Sequence, residues 1–145
     1  MTIIGFNFIK ISGERINAPT GKIEINNNAT IKSVEKADFT MGKTKQAGIR
    51  FLFEFTSKYV PNIAEILMAG EVLYLSDPKQ SAELVKQWAA EKKLEGDIMT
   101  EVLNTIMNKC NIEALILSRD LNLPPPVHLP RISPAPVADK KDYIG

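Results

Sequence analysis

Hydrophobic and polar side chains alternate with a period of two through the first two-thirds of the chain, the pattern of half-buried strands. In IIGFNFIKIS, Ile4, Phe6 and Phe8 alternate with Asn7, and Ile9 and Ile11 continue the opposite face. GIRFLFEFTSKY carries the clearest pattern. Ile49, Phe51, Phe53 and Phe55 line one face, with Arg50, Glu54 and Thr56 on the other. AEILMAGEVLYL places Ile66, Met68, Val72 and Tyr74 in phase, and Leu67, Leu73 and Leu75 on its second face predict a strand covered on both sides. Gly70 within it predicts a bulge or a close backbone approach. GKIEI and ATIKSVEKADF flank residues 26–28, NNN, which predict a turn because Asn tolerates left-handed backbone angles. The connections are too short for helical crossovers, so the sheet of about four strands is antiparallel.

After Ser76 the period changes to that of a helix. SDPKQSAELVKQWAAEKKLEG opens with Asp77 as cap, Pro78 at the first helical position and Gln80 near the third. It closes on Lys92, Lys93 and Gly96, so both ends follow helix-terminus rules. Val85, Trp88 and Ala89 give a narrow apolar stripe. Asp97 starts a second helix, in which Ile98, Val102, Ile106, Cys110, Ala114 and Leu117 recur at helical spacing. Met99, Leu103 and Met107 widen that stripe, so this long helix is expected to cross the sheet and pack on more than it. Strands first and helices last give an α+β fold with segregated layers. One domain over residues 1–132 and a polar, proline-dotted mobile tail over 133–145 are expected.

Composition narrows the function classes. The 145 residues are enough for one domain with a real core. Eighteen basic and seventeen acidic residues leave a net charge of +1, without the basic excess of a general nucleic-acid binder. Weak self-repulsion does not oppose association. Cys110 is the single cysteine and His128 the single histidine, which rules out an intrachain disulfide and Cys- or His-rich zinc sites. The start resembles no secretory leader, and no apolar run approaches the roughly 20 residues that span a bilayer, so a cytoplasmic location without membrane insertion is expected.

Candidate chemistry is sparse. ADFTMGKT comes within one residue of a phosphate-binding loop, but Ala37 replaces the first glycine and a strand follows where a helix is needed. Lys43, Lys45 and Arg50 read instead as a solvated basic patch, and no cofactor is expected. Glu54 and Glu71 could share a sheet face, but no histidine or nucleophile accompanies them. Cys110 falls on the apolar helix stripe, where a buried inert thiol is the default. Phe51, Phe53 and Phe55 could stack nucleobases, yet Leu52, Glu54 and Thr56 beside them are not the basic residues such a surface needs. A core face and a non-enzymatic protein follow.

One stretch stands apart. RDLNLPPPVHLPRI puts three consecutive prolines among apolar residues directly after the long helix. Ligands of SH3-type domains need prolines three apart, and no pair in this chain has that spacing; Pro126 and Pro130 are four apart. Leu121, Leu123, Val127, Leu129 and Ile132 give the segment an apolar face that is expected to dock on its own fold. Prolines offer no full ladder of donors, which suits an edge or the wall of a groove.

The order of elements resembles the SecB family of export chaperones. FIKISGERINAP is similar to that family's opening strand, which runs into an Ala-Pro pair, here Ala18-Pro19. IRFLFEFTSKY and AEILMAGEVLYL sit where the family has its central strands. IEALILSRDLNLPPPVHLPRI is similar to its late helix followed by a Leu-x-Leu-x-Pro-Val segment, here with one extra proline between Leu123 and Val127. The resemblance covers roughly residues 5–132. It implies a SecB-like fold, a homo-oligomer, and an ATP-independent holdase that binds non-native polypeptides in apolar grooves. Residues then expected at a groove are Phe6, Phe8, Tyr59, Tyr74, Leu121, Leu123, Val127 and Leu129. The family docks on the SecA motor through an acidic sheet surface, which a near-neutral chain does not supply. A rival expectation is a structural or adaptor subunit that holds one fixed partner in a larger protein or ribonucleoprotein assembly.

Overall fold

A computed structural model describes residues 2–94 and 96–127. Four strands, β1 (Thr2–Arg15), β2 (Glu24–Met41), β3 (Thr44–Val60) and β4 (Ala64–Leu75), precede two helices, α1 (Pro78–Glu91) and α2 (Asp97–Asp120). All strand pairs are antiparallel, and the spatial order is β1-β4-β3-β2. This is the α+β architecture expected from the period change at Ser76. His128, Leu129 and Ile132, with the expected tail at 133–145, lie outside the described residues.

The sheet is built around the phenylalanine strand. Ile49, Phe51, Phe53 and Phe55 are all at most 2% exposed, and across from them Ile66, Met68 and Val72 are fully buried. Removing one such side chain from water contributes roughly 1.5–3 kcal/mol, so this row anchors the fold. Gly70 shows both expected features. It pairs with Phe8 at a bulge, and a Cβ there would strike the Asn7 carbonyl and the Phe53 ring. Lys43 and Lys45 lie on or beside the two-residue loop joining Met41 to Thr44, where Gly42 takes φ 68°. The near-match to a phosphate-binding loop is therefore a hairpin between strands, with no helix N-terminus behind it.

Three local expectations are corrected. In β1, bulges at Ile4 and Ile9 each insert a residue and flip the alternation. Ile3, Phe6, Phe8 and Ile11 consequently stand opposite Tyr74, Val72, Gly70 and Met68, all on the core face, and Ile4 and Ile9 are exposed. Residues 26–28 form no turn. They pair in unbroken register with Lys58, Ser57 and Thr56, because cross-strand bonding overrides the local preference of Asn. The second face of β4 is not covered, since both helices pack over the phenylalanine face. Leu52, Leu67, Leu73 and Leu75 stay half-buried there.

The helices begin as expected and end differently. Asp77 Oδ1 accepts the Gln80 N–H at 2.7 Å, capping α1. Lys92, in left-handed conformation at φ 54°, closes α1; Gly96, at φ 98°, stands before α2 instead. Leu84, Val85 and Trp88 pack on the core and Ser81 is buried, whereas Ala89 is exposed. In α2 the buried row Val102, Ile106, Cys110, Ala114 continues to Ser118, one residue past the expected Leu117, because a strict four-residue step follows the helix as it runs along the sheet.

Candidate functional site

The chain must travel from one outer strand of the sheet to the other between β1 and β2. It passes the β3–β4 turn, where Ile63 O accepts from Ile16 N and Asn17 N, and Asn17 Nδ2 donates to Asn62 O at 2.6 Å. The C-terminal end of α2 reaches the same end of the molecule. Its last turn closes with Leu121 N donating to Leu117 O and Leu123 N to Ser118 O. Residues 123–127 then run as an irregular strap over the start of β2 and the end of β3.

Among the described residues, the side-chain hydrogen bonds to the strap all end on its carbonyls. Tyr59 donates its hydroxyl to Pro124 O at 2.6 Å, and Asn27 Nδ2 donates to Pro126 O at 2.7 Å. Ser57 Oγ donates to Asn27 Oδ1 at 2.6 Å and fixes the amide's orientation. The anchored carbonyls are two residues apart, and the donors sit on neighbouring strands where Ile25 pairs with Tyr59 and Asn27 with Ser57. Proline has no N–H, so this one-sided arrangement leaves no strap donor stranded at residues 124–126. Leu123, 8% exposed, and Pro126 turn inward, whereas Pro125 is exposed.

A depression flanks the strap on each side. One, of about 370 Å³, is lined by Leu115, Ile116, Ser118, Arg119, Leu123 and Pro125. The other, of about 530 Å³, is lined by Ile23, Ile25, Asn27, Pro125, Pro126 and Val127. Pro125 is the ridge between them. Together they form a mostly apolar trough crossed by the chain's own irregular backbone.

The eight residues expected at a groove do not gather in one place. Tyr59, Leu121, Leu123 and Val127 lie at the strap end, with Tyr59 only 1% exposed. Phe6 and Phe8 sit mid-sheet on β1, where Phe6 stacks on Phe53 at 5.2 Å between centroids. Tyr74 lies at the opposite end, its ring edge-on to Phe51 at 6.3 Å. Leu129 is outside the described residues. Sequence reading missed Asn27 and Ser57. A signal was there: each is a polar residue in an otherwise apolar phase, Asn27 between Ile25 and Ala29, Ser57 between Phe55 and Tyr59.

The titratable groups point away from covalent chemistry. Burial pushes the Cys110 thiol up to about 12, so it stays protonated near neutral pH and is no nucleophile. Burial likewise pushes the Tyr59 hydroxyl up to about 12, which keeps it a donor to Pro124. Tyr74 is raised by burial and then by the Glu101 carboxylate. On the uncovered sheet face, Glu71 meets Arg50 at 2.8 Å and Glu54 meets Lys32 at 3.9 Å, so the two carboxylates are not a catalytic pair. Phe51, Phe53 and Phe55 are closed off beneath the helices and have no face free to stack a base.

The fold has a solved counterpart. A Mycobacterium tuberculosis SecB-like chaperone, solved in complex with a ChAD peptide from the HigA1 antitoxin, superposes with a TM-score of 0.52. The match covers 90% of this chain and 88% of that one at 13% sequence identity. At that identity the likeness is one of fold. No protein-family model and no curated protein matches the chain by sequence. No helix among the described residues is long and apolar enough to cross a membrane.

Proposed function

We propose that this protein is a SecB-like, ATP-independent holdase that keeps extended, non-native polypeptide segments from aggregating. The observation that carries the reading is the trough at the strap end: apolar walls from α2 and β2, with side-chain donors that recognise backbone carbonyls. Such a site needs shape and apolar area but no reaction. The fold likeness to a SecB-like chaperone bound to a peptide supports it. Binding the unfolded state holds that state out of aggregation by mass action.

The proposal includes self-association through β1. Among the described residues no strand pairs with its outer side, and Ile4, Ile9 and Ile11 of this strand are exposed. An unpaired edge of this length and apolarity favours strand pairing with a second copy. Docking on the SecA motor is not part of the proposal. Glu35, Glu54 and Glu71 on the open sheet face each stand against Arg50 or Lys32, which offsets their charge.

The test is suppression of the aggregation of a thermally unfolded client at stoichiometric amounts without nucleotide. Suppression supports the holdase, and its absence removes it. Affinity purification separates the rival adaptor reading, since a holdase recovers many clients and an adaptor recovers one partner at fixed stoichiometry.

A further inference from the structure

The strap is better understood as an occupant than as a wall. Its backbone joins no helix or strand ladder, its inward side chains are apolar, and it touches the sheet as a bound peptide does: alternate carbonyls taken by Tyr59 and Asn27, with Leu123 and Pro126 turned in. Space remains on both sides of it, about 370 Å³ against α2 and about 530 Å³ against β2, divided by Pro125. A segment meant as permanent core would be packed on both flanks to interior density. The three prolines donate nothing to the sheet, so it can leave without breaking a ladder.

We propose that residues 123–127 act as a built-in competitor, occupying a row for extended apolar polypeptide that runs over Tyr59, Ser57 and Asn27. An incoming client displaces them and joins the two depressions into one groove. This rests on the polypeptide-binding reading above and adds its regulation. The row selects segments that present free carbonyls two residues apart, with an apolar side chain just before the first and another on the residue that carries the second. It makes no demand on their N–H groups, so proline-containing segments are accepted. A tethered strap has an effective concentration on the order of mM, so only clients making additional contacts in the two depressions displace it at lower concentration.

The probe is the fluorescein-labelled, amidated hexapeptide NLPPPV, followed by anisotropy with the full chain. Leu123→Asp removes the strap's apolar anchor and is expected to raise the affinity for the peptide at least about tenfold over the parent, one 1.4 kcal/mol step. Adding Tyr59→Phe is expected to weaken that binding about two- to tenfold, the range of one hydrogen bond. A Leu123→Asp chain that keeps its circular dichroism and binds no better than the parent overturns the proposal. If that variant does not fold, Leu123→Ala, which shortens the same anchor without adding a charge, takes its place and is expected to bind the peptide at least about threefold better than the parent. Binding by Leu123→Ala no better than by the parent overturns the proposal. Peptide binding without suppression of aggregation leaves the displaceable strap standing and removes the holdase. Suppression that is equal in the parent and the Leu123 variant does the reverse.

Discussion

The two outer strands of the sheet end in opposite states. β2 carries Asn26, Asn28, Thr30, Lys32 and Lys36 exposed, bulges at Lys32, and has the strap across its inner side. β1 is bulged twice yet exposes Ile4, Ile9 and Ile11, with Lys10 as its one mid-strand charge and Glu14 and Arg15 at its end. Lysines and bulges are the usual means of keeping an edge single. One edge is thus guarded and the other open, and both rest on the same phenylalanine row. Under the proposed function the two edges have different tasks: polypeptide at the strap end of β2 and β3, a second copy at β1.

The largest perturbation acts on what the two edges share. Phe53→Ala removes a ring that stacks on Phe6 from β1 and stands opposite Ile31 of β2. It is expected to lower stability by about 3–5 kcal/mol in denaturant titration, in one cooperative transition. Two separate transitions would break the idea of a common foundation. Alkaline pH acts next, at the strap end. The Tyr59 hydroxyl ionises near 10 when unfolded and near 12 when folded, so the folded state holds its proton longer. Its contribution is complete below pH 10 and disappears as pH rises to about 12, a loss of about 2 kcal/mol. Cys110 loses its share from about pH 9 upward, for the same reason. Tyr59→Phe is expected to remove the tyrosine part of the alkaline transition and leave the thiol part.

At the open edge, Ile9→Lys changes a residue already 66% exposed, so the monomer's stability should move by no more than about 0.5 kcal/mol. Association is expected to fall sharply, read as solution mass by light scattering. Lys36→Ile on the guarded edge should leave the β1 contact intact, and an equal loss of mass there would erase the contrast. The smallest effect belongs to the open sheet face. Arg50→Met breaks the pair with Glu71 at about 0.5–1 kcal/mol, because both partners reach solvent.

How much of this was legible follows from which forces are local. The faces of β3 and β4 were readable because an unbroken period of two maps directly onto burial. β1 was misread because bulges at Ile4 and Ile9 leave no mark in composition and each reverses the phase. Residues 26–28 have turn chemistry locally but strand pairing in the fold. The proline segment's return to its own body was foreseeable from Leu121, Leu123 and Val127. Its partners were not, because bonds between residues 99 and 65 positions apart have no local signature. The polar interruptions at Asn27 and Ser57 mark where such bonds form.

The central claim is that a non-native chain is held at the strap end. The most direct measurement is suppression of client aggregation, without nucleotide, by the Leu123→Asp chain and by the parent, each titrated against a fixed amount of client. The account predicts suppression by both chains, reached at a lower concentration by Leu123→Asp than by the parent. Equal dependence on concentration would place the client elsewhere, and suppression by neither chain would contradict the holdase altogether.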